Sequence, residues 1–472
     1  MIRRRHLLQA SAGLLAAPAI IDRAGAQSAF DWKQFKGQHL EVNFQLSPRG
    51  ELAKNNHKAF EEMTGITVGF EQIPEQQQRP KVAMELASGR PSFDVANVAM
   101  HVQKRQVESA KWMEDLRPYI ADKTLTSPDF DQADFSDASM RVATGADGAI
   151  GVLPNNQDLF ILFYNKELLA AKGFKEPPKT HDELMSMAKA LTDPAKSQYG
   201  FVGRGIKNAN VVLYDTFLLG YDQETITADG KKLLTDTPKA IAAATYYQKL
   251  MRECGPPGSV GFNWNEAQTT FGQGRAAMWL DGIGFSAPLL DPKSSKIADK
   301  VGFAPVPAGP NGHFTATFIE GIGIPRQAKN KKAAWLYLQW FTGKAMMAEV
   351  LRAGAGTPSR KSAYARTDVI KASKFPQEWF DTTLASLKIA RSGLPVIVPV
   401  TEFRDTIGVG LTNIIGGADP ATELKKATEA FQPVLDKANA AEERPGLCPG
   451  PAKGGALGTH HLGSRGSLAG LG

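Results

Sequence analysis

The sequence has very little cysteine: Cys254 and Cys448 are the two cysteines in a chain of 472 residues. They lie far apart, and Cys448 falls in a stretch rich in glycine and proline, so no disulfide framework is indicated. Neither belongs to a CxxC motif, and histidines do not occur at metal-ligand spacing, the adjacent pair His460-His461 included. We therefore expect no metal and no cofactor. A chain of this length can instead fold by burying a hydrophobic core.

Long hydrophobic runs and a strong excess of one charge are also missing. No apolar stretch reaches the roughly 18 residues of a membrane-spanning helix. The net charge of +7, from 55 Lys and Arg against 48 Asp and Glu, comes mostly from the two ends of the chain. Residues 1–26 carry +3 and residues 445–472 carry +2, so residues 27–444 carry only +2. A nearly neutral body lacks the clustered Lys and Arg of a nucleic-acid-binding surface, and we expect no nucleic-acid partner.

Common catalytic motifs are absent as well. There is no GxSxG nucleophile motif, no Walker loop and no GxGxxG segment that opens a helix. None of the histidines between residues 27 and 444 lies beside a plausible nucleophile. These histidines are His39, His57, His101, His181 and His313. Carboxylates are plentiful, but nothing in the sequence brings two of them to the separations that glycosidases use. No catalytic residue is therefore assigned.

The first 26 residues have the features of an export signal. Arg4 and Arg5 open the sequence RRHLLQ, an apolar region follows, and Ala24-Gly25-Ala26 forms a small-residue cleavage site. The paired arginines are similar to the twin-arginine export signal. The alternative is a basic amphipathic helix at the N-terminus. We expect residues 1–26 to direct export to a bacterial periplasm.

The last 28 residues, 445–472, differ in composition from the rest of the chain. Nine of them are glycine, and no hydrophobic periodicity is visible. Such a composition does not bury enough apolar surface to fold. We expect this tail to be disordered.

What is present is an alternation of strand and helix patterns. Residues 40–46 and 66–70 alternate apolar and polar side chains, as half-buried strands do, and residues 93–98 form a third strand. Segments with helical spacing of apolar residues separate them. Further along, Thr180 and Glu183 have the spacing of a capping box at the start of a helix. Strands that alternate with helices predict an α/β fold with parallel βαβ units.

Six segments resemble, in their order, the motifs of one protein family. They are residues 60–68 (FEEMTGITV), 86–95 (LASG and FDV), 158–166 (DLFILFYNK), 265–282 (NEAQTTFGQGRAAMWLDG), 323–335 (GIPRQAKNKKAAW) and 356–360 (GTPSR). Together, across residues 39–443, they resemble the family 1 extracellular solute-binding proteins, the sugar-binding components of ABC importers. The segment 265–282 is the most distinctive of the six.

The resemblance implies a type II periplasmic-binding-protein fold with two lobes, each a mixed or parallel sheet flanked by helices. The implied first lobe is 27–150 and 306–358, the second is 151–305 and 359–444, and the crossovers lie near 149–153, 303–308 and 356–362. A sugar, polyol or sugar derivative would bind between the lobes and close them by a hinge motion. The implied partners are the membrane permease subunits of an ABC importer, which would receive the ligand from a monomer.

Candidate ligand contacts are the hydrogen-bonding and aromatic residues that lie at strand ends and at the implied crossovers, because a sugar requires both kinds of side chain. They are Gln45, Ser47, Arg49, Asn97, Asn155, Asn156, Asp158, Tyr214, Trp279, Asp281, Glu320, Gly321, Arg360 and Arg404. In the family an acidic residue commonly lies at the position of Asp158, so the resemblance implies that Asp158 accepts hydrogen bonds from the ligand.

Several of these candidates also have a structural interpretation. Ser47 is placed to cap a helix, Asn97 to form a turn, and Tyr214 and Trp279 to fill a core. Either Arg360 or Arg404 could pair with an acidic group of the ligand or form a surface salt bridge. The sequence alone leaves these alternatives open.

The chain departs from the family at two positions that bear on the ligand. Where the family often has a Trp after the glycine that ends segment 265–282, this chain has Ile283, and Phe285 follows. Where the family usually reads GGWG, Ile322 replaces the Trp and Glu320 replaces a Gly. These departures favour a smaller or differently shaped polyol or sugar derivative. The alternatives are a binding protein for a polyamine or a glycerophosphodiester and, less favoured, a secreted enzyme that acts on carbohydrate.

Overall fold

The computed structural model describes residues 30–145 and 147–442. The export signal predicted at 1–26 and the tail predicted at 445–472 lie outside the described residues. No helix in the described part is both long enough and apolar enough to span a bilayer. Cys254 is a buried free thiol.

Eight strands and seventeen α-helices make up the described part of the chain. The strands are β1 (His39–Gln45), β2 (Thr67–Ile73), β3 (Val95–Ala99), β4 (Leu153–Asn165), β5 (Met278–Gly282), β6 (Val301–Pro305), β7 (Thr315–Gly323) and β8 (Ala390–Ser392). The helices are α1 (Pro48–Thr64), α2 (Glu75–Ser88), α3 (Met100–Ser109), α4 (Arg117–Ala121), α5 (Asp137–Ala143), α6 (Lys166–Ala171), α7 (His181–Leu191), α8 (Asn210–Leu219), α9 (Pro238–Cys254), α10 (Trp264–Gly272), α11 (Ser286–Leu289), α12 (Lys331–Phe341), α13 (Lys344–Arg352), α14 (Thr367–Ala372), α15 (Gln377–Lys388), α16 (Val400–Gly416) and α17 (Pro420–Glu442).

The strands pair in the order β2-β1-β3-β7-β4-β5, with β6 also paired to β4 and β8 to β7. β1 runs parallel to both β2 and β3, as expected for βαβ units. β7 is antiparallel to β3, and β4 is antiparallel to β5, β6 and β7. The α/β class predicted from the sequence is confirmed, with mixed rather than purely parallel pairing.

β4 and β7 are long strands that each take part in two regions of sheet. In β4, residues 153–159 pair with β7, whereas residues 160–165 pair with β5 and β6. In β7, residues 320–323 pair with β3 and residues 315–317 pair with β8. The two strands therefore join the sheet of β1 to β3 to the sheet of β5 and β6.

Apolar side chains form separate cores on the two sides of these shared strands. On one side, α1 and α12 pack on β1, with Phe44, Phe60 and Trp335 buried. On the other side, α8, α9 and α16 pack together around Phe217 and Phe403, and a further cluster surrounds the buried side chains of β5. The fold consists of two packed bodies joined by β4 and β7.

The chain returns from the second body to the first along β7. Val306 and Phe314 still pack on the core around Phe217, and Ala308 pairs with Thr180. Residues 306–314 thus belong to the second body by their contacts, although the sequence placed a crossover at 303–308. The other lobe boundaries given above stay predictions.

Helix α7 begins at the cap predicted from the sequence. The Thr180 hydroxyl accepts the Glu183 N–H at 3.2 Å, and the Glu183 carboxylate accepts the N–H of Lys179 at 2.6 Å, one residue before the expected one. We expect Thr180→Ala to lower the free energy of unfolding by about 1 kcal/mol, measured by urea titration, because a helix N–H loses its acceptor. Thr180→Asn restores an acceptor and should unfold like wild type. Equal losses in the two variants would contradict a capping role.

Candidate functional site

Charged and polar side chains gather where β4 and β7 pass between the two bodies. Asp158 lies on β4, Glu320 on β7 and Asp281 near the end of β5. Each interacts with at least one other member of the group through a hydrogen bond or its charge. We name this group the junction site: Gln45, Arg49, His101, Asp158, Arg204, Asp281, Gly284 and Glu320.

Glu320 is held by two side chains from the end of β1 and the start of α1. Gln45 donates from Nε2 to Glu320 Oε1 at 2.6 Å, and Arg49 pairs with the other carboxylate oxygen. Burial alone would raise the pKa of Glu320, but the Arg49 guanidinium and the Gln45 amide outweigh it, so this pKa lies below its usual range. Glu320 is therefore an ionised acceptor whose two oxygens are oriented by Gln45 and Arg49. The structure brings these three predicted residues together.

Asp158 is the carboxylate of the junction site that has no cation bonded to it among the described residues. Its Oδ1 accepts the N–H groups of Gly284 at 3.0 Å and Leu159 at 3.1 Å. Burial raises the pKa of Asp158 to about 6, and the charge of Asp281 raises it further against the opposing Gly284 N–H and Arg49. Its second oxygen, Oδ2, would lie 2.5 Å from a Cβ placed on Gly282. A residue without a side chain at position 282 is what leaves room for this carboxylate.

Asp281 is buried and forms a two-point ion pair with Arg204. The Arg204 Nε and Nη2 atoms lie 2.9 and 2.6 Å from the two Asp281 oxygens. The guanidinium also lies over the rings of Phe160 at 5.6 Å and Phe285 at 5.8 Å, a cation–π arrangement. Phe285 in turn stacks on Trp264 with ring centres 4.8 Å apart. Asp281 was predicted, whereas Arg204 and the Phe285–Trp264 stack were not assigned to the site.

His101 is a second residue that sequence reasoning did not assign. Its Nδ1 donates to the Ile319 carbonyl at 3.2 Å, and its ring packs edge-on against Phe318 at 5.7 Å. Burial lowers the pKa of His101 to about 4, and the Arg79 charge lowers it while that of Glu320 opposes. The imidazole is therefore neutral at pH 7. Its position two residues after the end of β3 could have identified it, because ligands bind beyond the carboxyl ends of the strands in open α/β sheets.

Ser47, Asn97 and Gly321 have structural contacts, and the ligand contacts predicted for them stay predictions. Ser47 is the N-cap of α1, its hydroxyl accepting the Gly50 N–H at 3.2 Å. Asn97 lies within β3, where its Nδ2 donates to the Gly321 carbonyl at 3.1 Å. Gly321 packs so closely on Val152 that a Cβ would lie 2.5 Å from that side chain. These three residues stabilise the sheet and helix α1.

Tyr214, Trp279 and Arg360 are buried in the cores, and the ligand contacts predicted for them stay predictions. The Tyr214 hydroxyl donates to the Ala240 carbonyl at 3.2 Å inside the helical core. Trp279 is fully buried and stacks on Phe163 at 4.8 Å. Arg360 lies 4.1 Å above the Phe135 ring and donates to the backbone, 1% exposed rather than on the surface.

The remaining predicted residues lie beside the junction site. Asn156 accepts the Thr357 N–H at 2.9 Å and so holds residues 356–358 against β4. Asn155 is fully buried next to a β-bulge, and neither of its amide atoms has a hydrogen-bond partner in the described part of the chain. Arg404, on α16, donates to the Asn208 carbonyl at 3.1 Å, and its charge acts on His101. No group of His, Cys, Asp and Glu with the arrangement of a metal site occurs among the described residues.

Comparison with known proteins identifies the family. The model of the bacterial extracellular solute-binding proteins matches residues 43–348. The chain belongs to this family. This solute-binding protein is 28% identical over 417 residues to the erythritol/L-threitol-binding protein of Mycolicibacterium smegmatis, covering 84% of this chain and 86% of that one. It is 26% identical over 446 residues to a probable amino-acid ABC transporter periplasmic-binding protein of Sinorhizobium fredii, covering 89% and 96%.

A solved structure agrees with the architecture of this solute-binding protein. A solute-binding protein of Agrobacterium radiobacter in complex with ribitol superposes with a TM-score of 0.74 at 24% identity, covering 84% of this chain and 99% of that one. The two bodies joined by β4 and β7 are the two lobes of a type II periplasmic-binding protein. The fold predicted from the sequence is confirmed, and the junction site lies between the lobes.

Proposed function

We propose that this solute-binding protein binds a neutral polyol or sugar at the junction site and delivers it to an ABC importer by closure of the two lobes. The observation that carries the proposal is Asp158: a carboxylate between the lobes, with one oxygen on backbone N–H groups and no cation bonded to it. A ligand hydroxyl can donate to such a carboxylate in a charge-assisted hydrogen bond. The relative from Mycolicibacterium smegmatis, named for erythritol and L-threitol, supports the same ligand class.

The pairing of charges at the junction site favours a neutral ligand. Arg49 is already bonded to Glu320, and Arg204 to Asp281. A phosphodiester would need a free guanidinium and would face Asp158, whereas a polyamine would face the guanidinium groups. Hydroxyl groups both donate and accept, so they can bind to carboxylates and guanidinium groups without breaking either pair.

The structure also supports a small or linear ligand over a sugar ring that would stack on a tryptophan at position 322. Ile322 is fully buried in the core beside β1, so its side chain packs within the first lobe. An aromatic surface beside the Arg204–Asp281 pair is the Phe285–Trp264 stack, with Trp264 38% exposed. Fewer rings leave hydrogen bonds as the main source of affinity for the ligand.

The same contacts support a binding role without catalysis. Hydrolysis of a glycosidic bond requires one carboxyl group to donate a proton and a second to act as nucleophile or base. Beside Asp158, the neighbouring carboxylate of Asp281 is held at both oxygens by Arg204.

We propose that the protein acts in the periplasm as a monomer, exported through residues 1–26, with the permease subunits of an importer as its partners.

A thermal-shift screen of the purified protein tests the ligand class. Erythritol, ribitol, mannitol and maltose are compared with putrescine, glycerophosphocholine and glycine. A ligand at 100 times its dissociation constant adds about 2.7 kcal/mol to the stability of the folded state, so a polyol or sugar should raise the melting temperature. A shift with the polyamine, the phosphodiester or the amino acid alone would contradict the proposal.

Gly282→Ala tests the position of the Asp158 carboxylate. The backbone φ of −63° at position 282 suits alanine, but the new Cβ would lie 2.5 Å from Asp158 Oδ2 and displace it. We expect affinity for the polyol to fall about threefold in isothermal titration calorimetry, as for a weakened hydrogen bond. Gly416→Ala, where a Cβ meets nothing within 4 Å, is the matched control and should bind like wild type. Unchanged affinity in Gly282→Ala would show that Asp158 does not contact the ligand.

A further inference from the structure

Asp215 is a buried carboxylate that neither the fold nor the junction site explains. All ten residues of α8 are buried, and Asp215 lies among apolar neighbours in its middle. The side chain is 4% exposed, and neither of its oxygens has a hydrogen-bond partner in the described part of the chain. Burial of an unbonded carboxylate is costly. A buried polar group without a partner needs an explanation, and a ligand that supplies the missing hydrogen bonds is one.

A cavity lies against this carboxylate. Its volume is about 160 Å³, and its wall includes Asp215 and Leu218 of α8, the segment 223–228, which carries Glu224, and the segment 392–396. A cavity of about 150 Å³ in another protein holds a ring of roughly six heavy atoms. The space beside Asp215 therefore fits a short segment of a polyol chain. We name it the Asp215 pocket.

The Asp215 pocket lies next to the junction site. Gly393, in its wall, packs so closely on Phe318 that a Cβ would lie 2.6 Å from the ring. Phe318 also contacts His101 of the junction site, with ring centres 5.7 Å apart. Arg404 links the two regions as well, since its charge acts on both Asp215 and His101.

We propose that the Asp215 pocket receives one end of the solute whose other hydroxyl groups bind at the junction site, so that the preferred ligand is an open-chain polyol. The inference rests on the proposed function. Two neighbouring hydroxyl groups can donate to the two oxygens of Asp215, and the carbon chain between them packs on Leu218 and Leu394. The nearby charge of Arg404 favours hydroxyl donors over an ammonium group, which it would repel. A compact sugar ring at the junction site would leave Asp215 without a partner.

Calorimetric titration of a chain-length series tests this inference. The full-length protein and its variant Asp215→Asn are titrated with glycerol, erythritol, ribitol and mannitol. In wild type the affinity should rise with chain length. In Asp215→Asn the affinity for the longest polyol bound should fall about tenfold, as for the loss of about one hydrogen bond, and that for glycerol less than about threefold. Asp236→Asn, an exposed carboxylate of the same body outside the pocket, is the charge control and should bind like wild type.

Two readouts keep the inference separate from folding and from the proposed function. Without ligand, Asp215→Asn should melt near the wild-type temperature and Asp215→Leu above it, because leucine removes a buried carboxyl group that has no hydrogen-bond partner among the described residues. If wild type binds polyols and Asp215→Asn binds every length equally well, or weakens them all alike, the pocket is not a subsite and the proposed function stands. If wild type binds none of the four polyols but is stabilised by a sugar in the thermal-shift screen, the inference fails and the proposed function stands; if neither a polyol nor a sugar binds, both fail.

Discussion

Replacing Arg204 by methionine is expected to lower the free energy of unfolding by about 3–5 kcal/mol. The change leaves Asp281 without its cation. Its side chain is 0% exposed, and both of its oxygens lose their ion-pair hydrogen bonds. Methionine retains most of the side-chain volume beside Phe160 and Phe285, so the loss reports the unpaired charge rather than a cavity. Equilibrium urea denaturation, followed by tryptophan fluorescence, measures the effect.

Two further variants separate the buried charge from other causes. Asp281→Asn leaves Arg204 without its anion, but the loss should be smaller, because the guanidinium is 12% exposed and still lies over two rings. The double variant Arg204→Met/Asp281→Leu removes both charges and should recover most of the stability. If the double variant unfolds as easily as Arg204→Met, the unpaired Asp281 carboxylate is not the reason for the loss of stability.

The strands and helices that carry regular patterns could be predicted from the sequence. β1 and the start of α7 lie within a residue or two of their predicted places, because alternation and capping are local signals. The start of β4 was missed: residues 155–158 are the polar sequence NNQD, which has no strand period. These residues extend as a strand because β7 pairs with them along the crossover. That pairing partner lies more than 150 positions away, so no local pattern reports it.

The carboxylates of the site could be predicted, but their partners could not. Asp158, Asp281 and Glu320 stand at strand ends or in motifs that the sequence displays. Arg204 bonds to Asp281 across 77 positions, and no motif marks it. Trp279 shows the converse case: its motif left a ligand role and a core role open, and β5 places the ring in the core against Phe163. The face of a strand on which a side chain lies decides between the two roles, and packing rather than composition sets it.

Affinity for the polyol is expected to fall about tenfold between pH 8 and pH 5, because the pKa of Asp158 in the empty site is about 6. Ligand hydroxyl groups donate to the ionised carboxylate, so below pH 6 the ligand must compete with a proton. The pKa of His101 is about 4 and that of Glu320 lies below its usual range, so neither changes charge in this interval. Isothermal titration calorimetry at pH 5, 6, 7 and 8 measures the dependence.

The stability of the empty protein should respond to Asp158 in the opposite direction. Its pKa is raised in the folded state above the value of 3.8 expected in the unfolded chain. The folded state therefore binds more protons between pH 4 and 6, and this group adds stability as the pH falls through 6. Asp158→Asn cannot titrate and should remove both the loss of affinity and this gain in stability. If the variant keeps the wild-type pH dependence of binding, another group controls the site; if it loses the dependence, the carboxylate that accepts the ligand is the one that titrates.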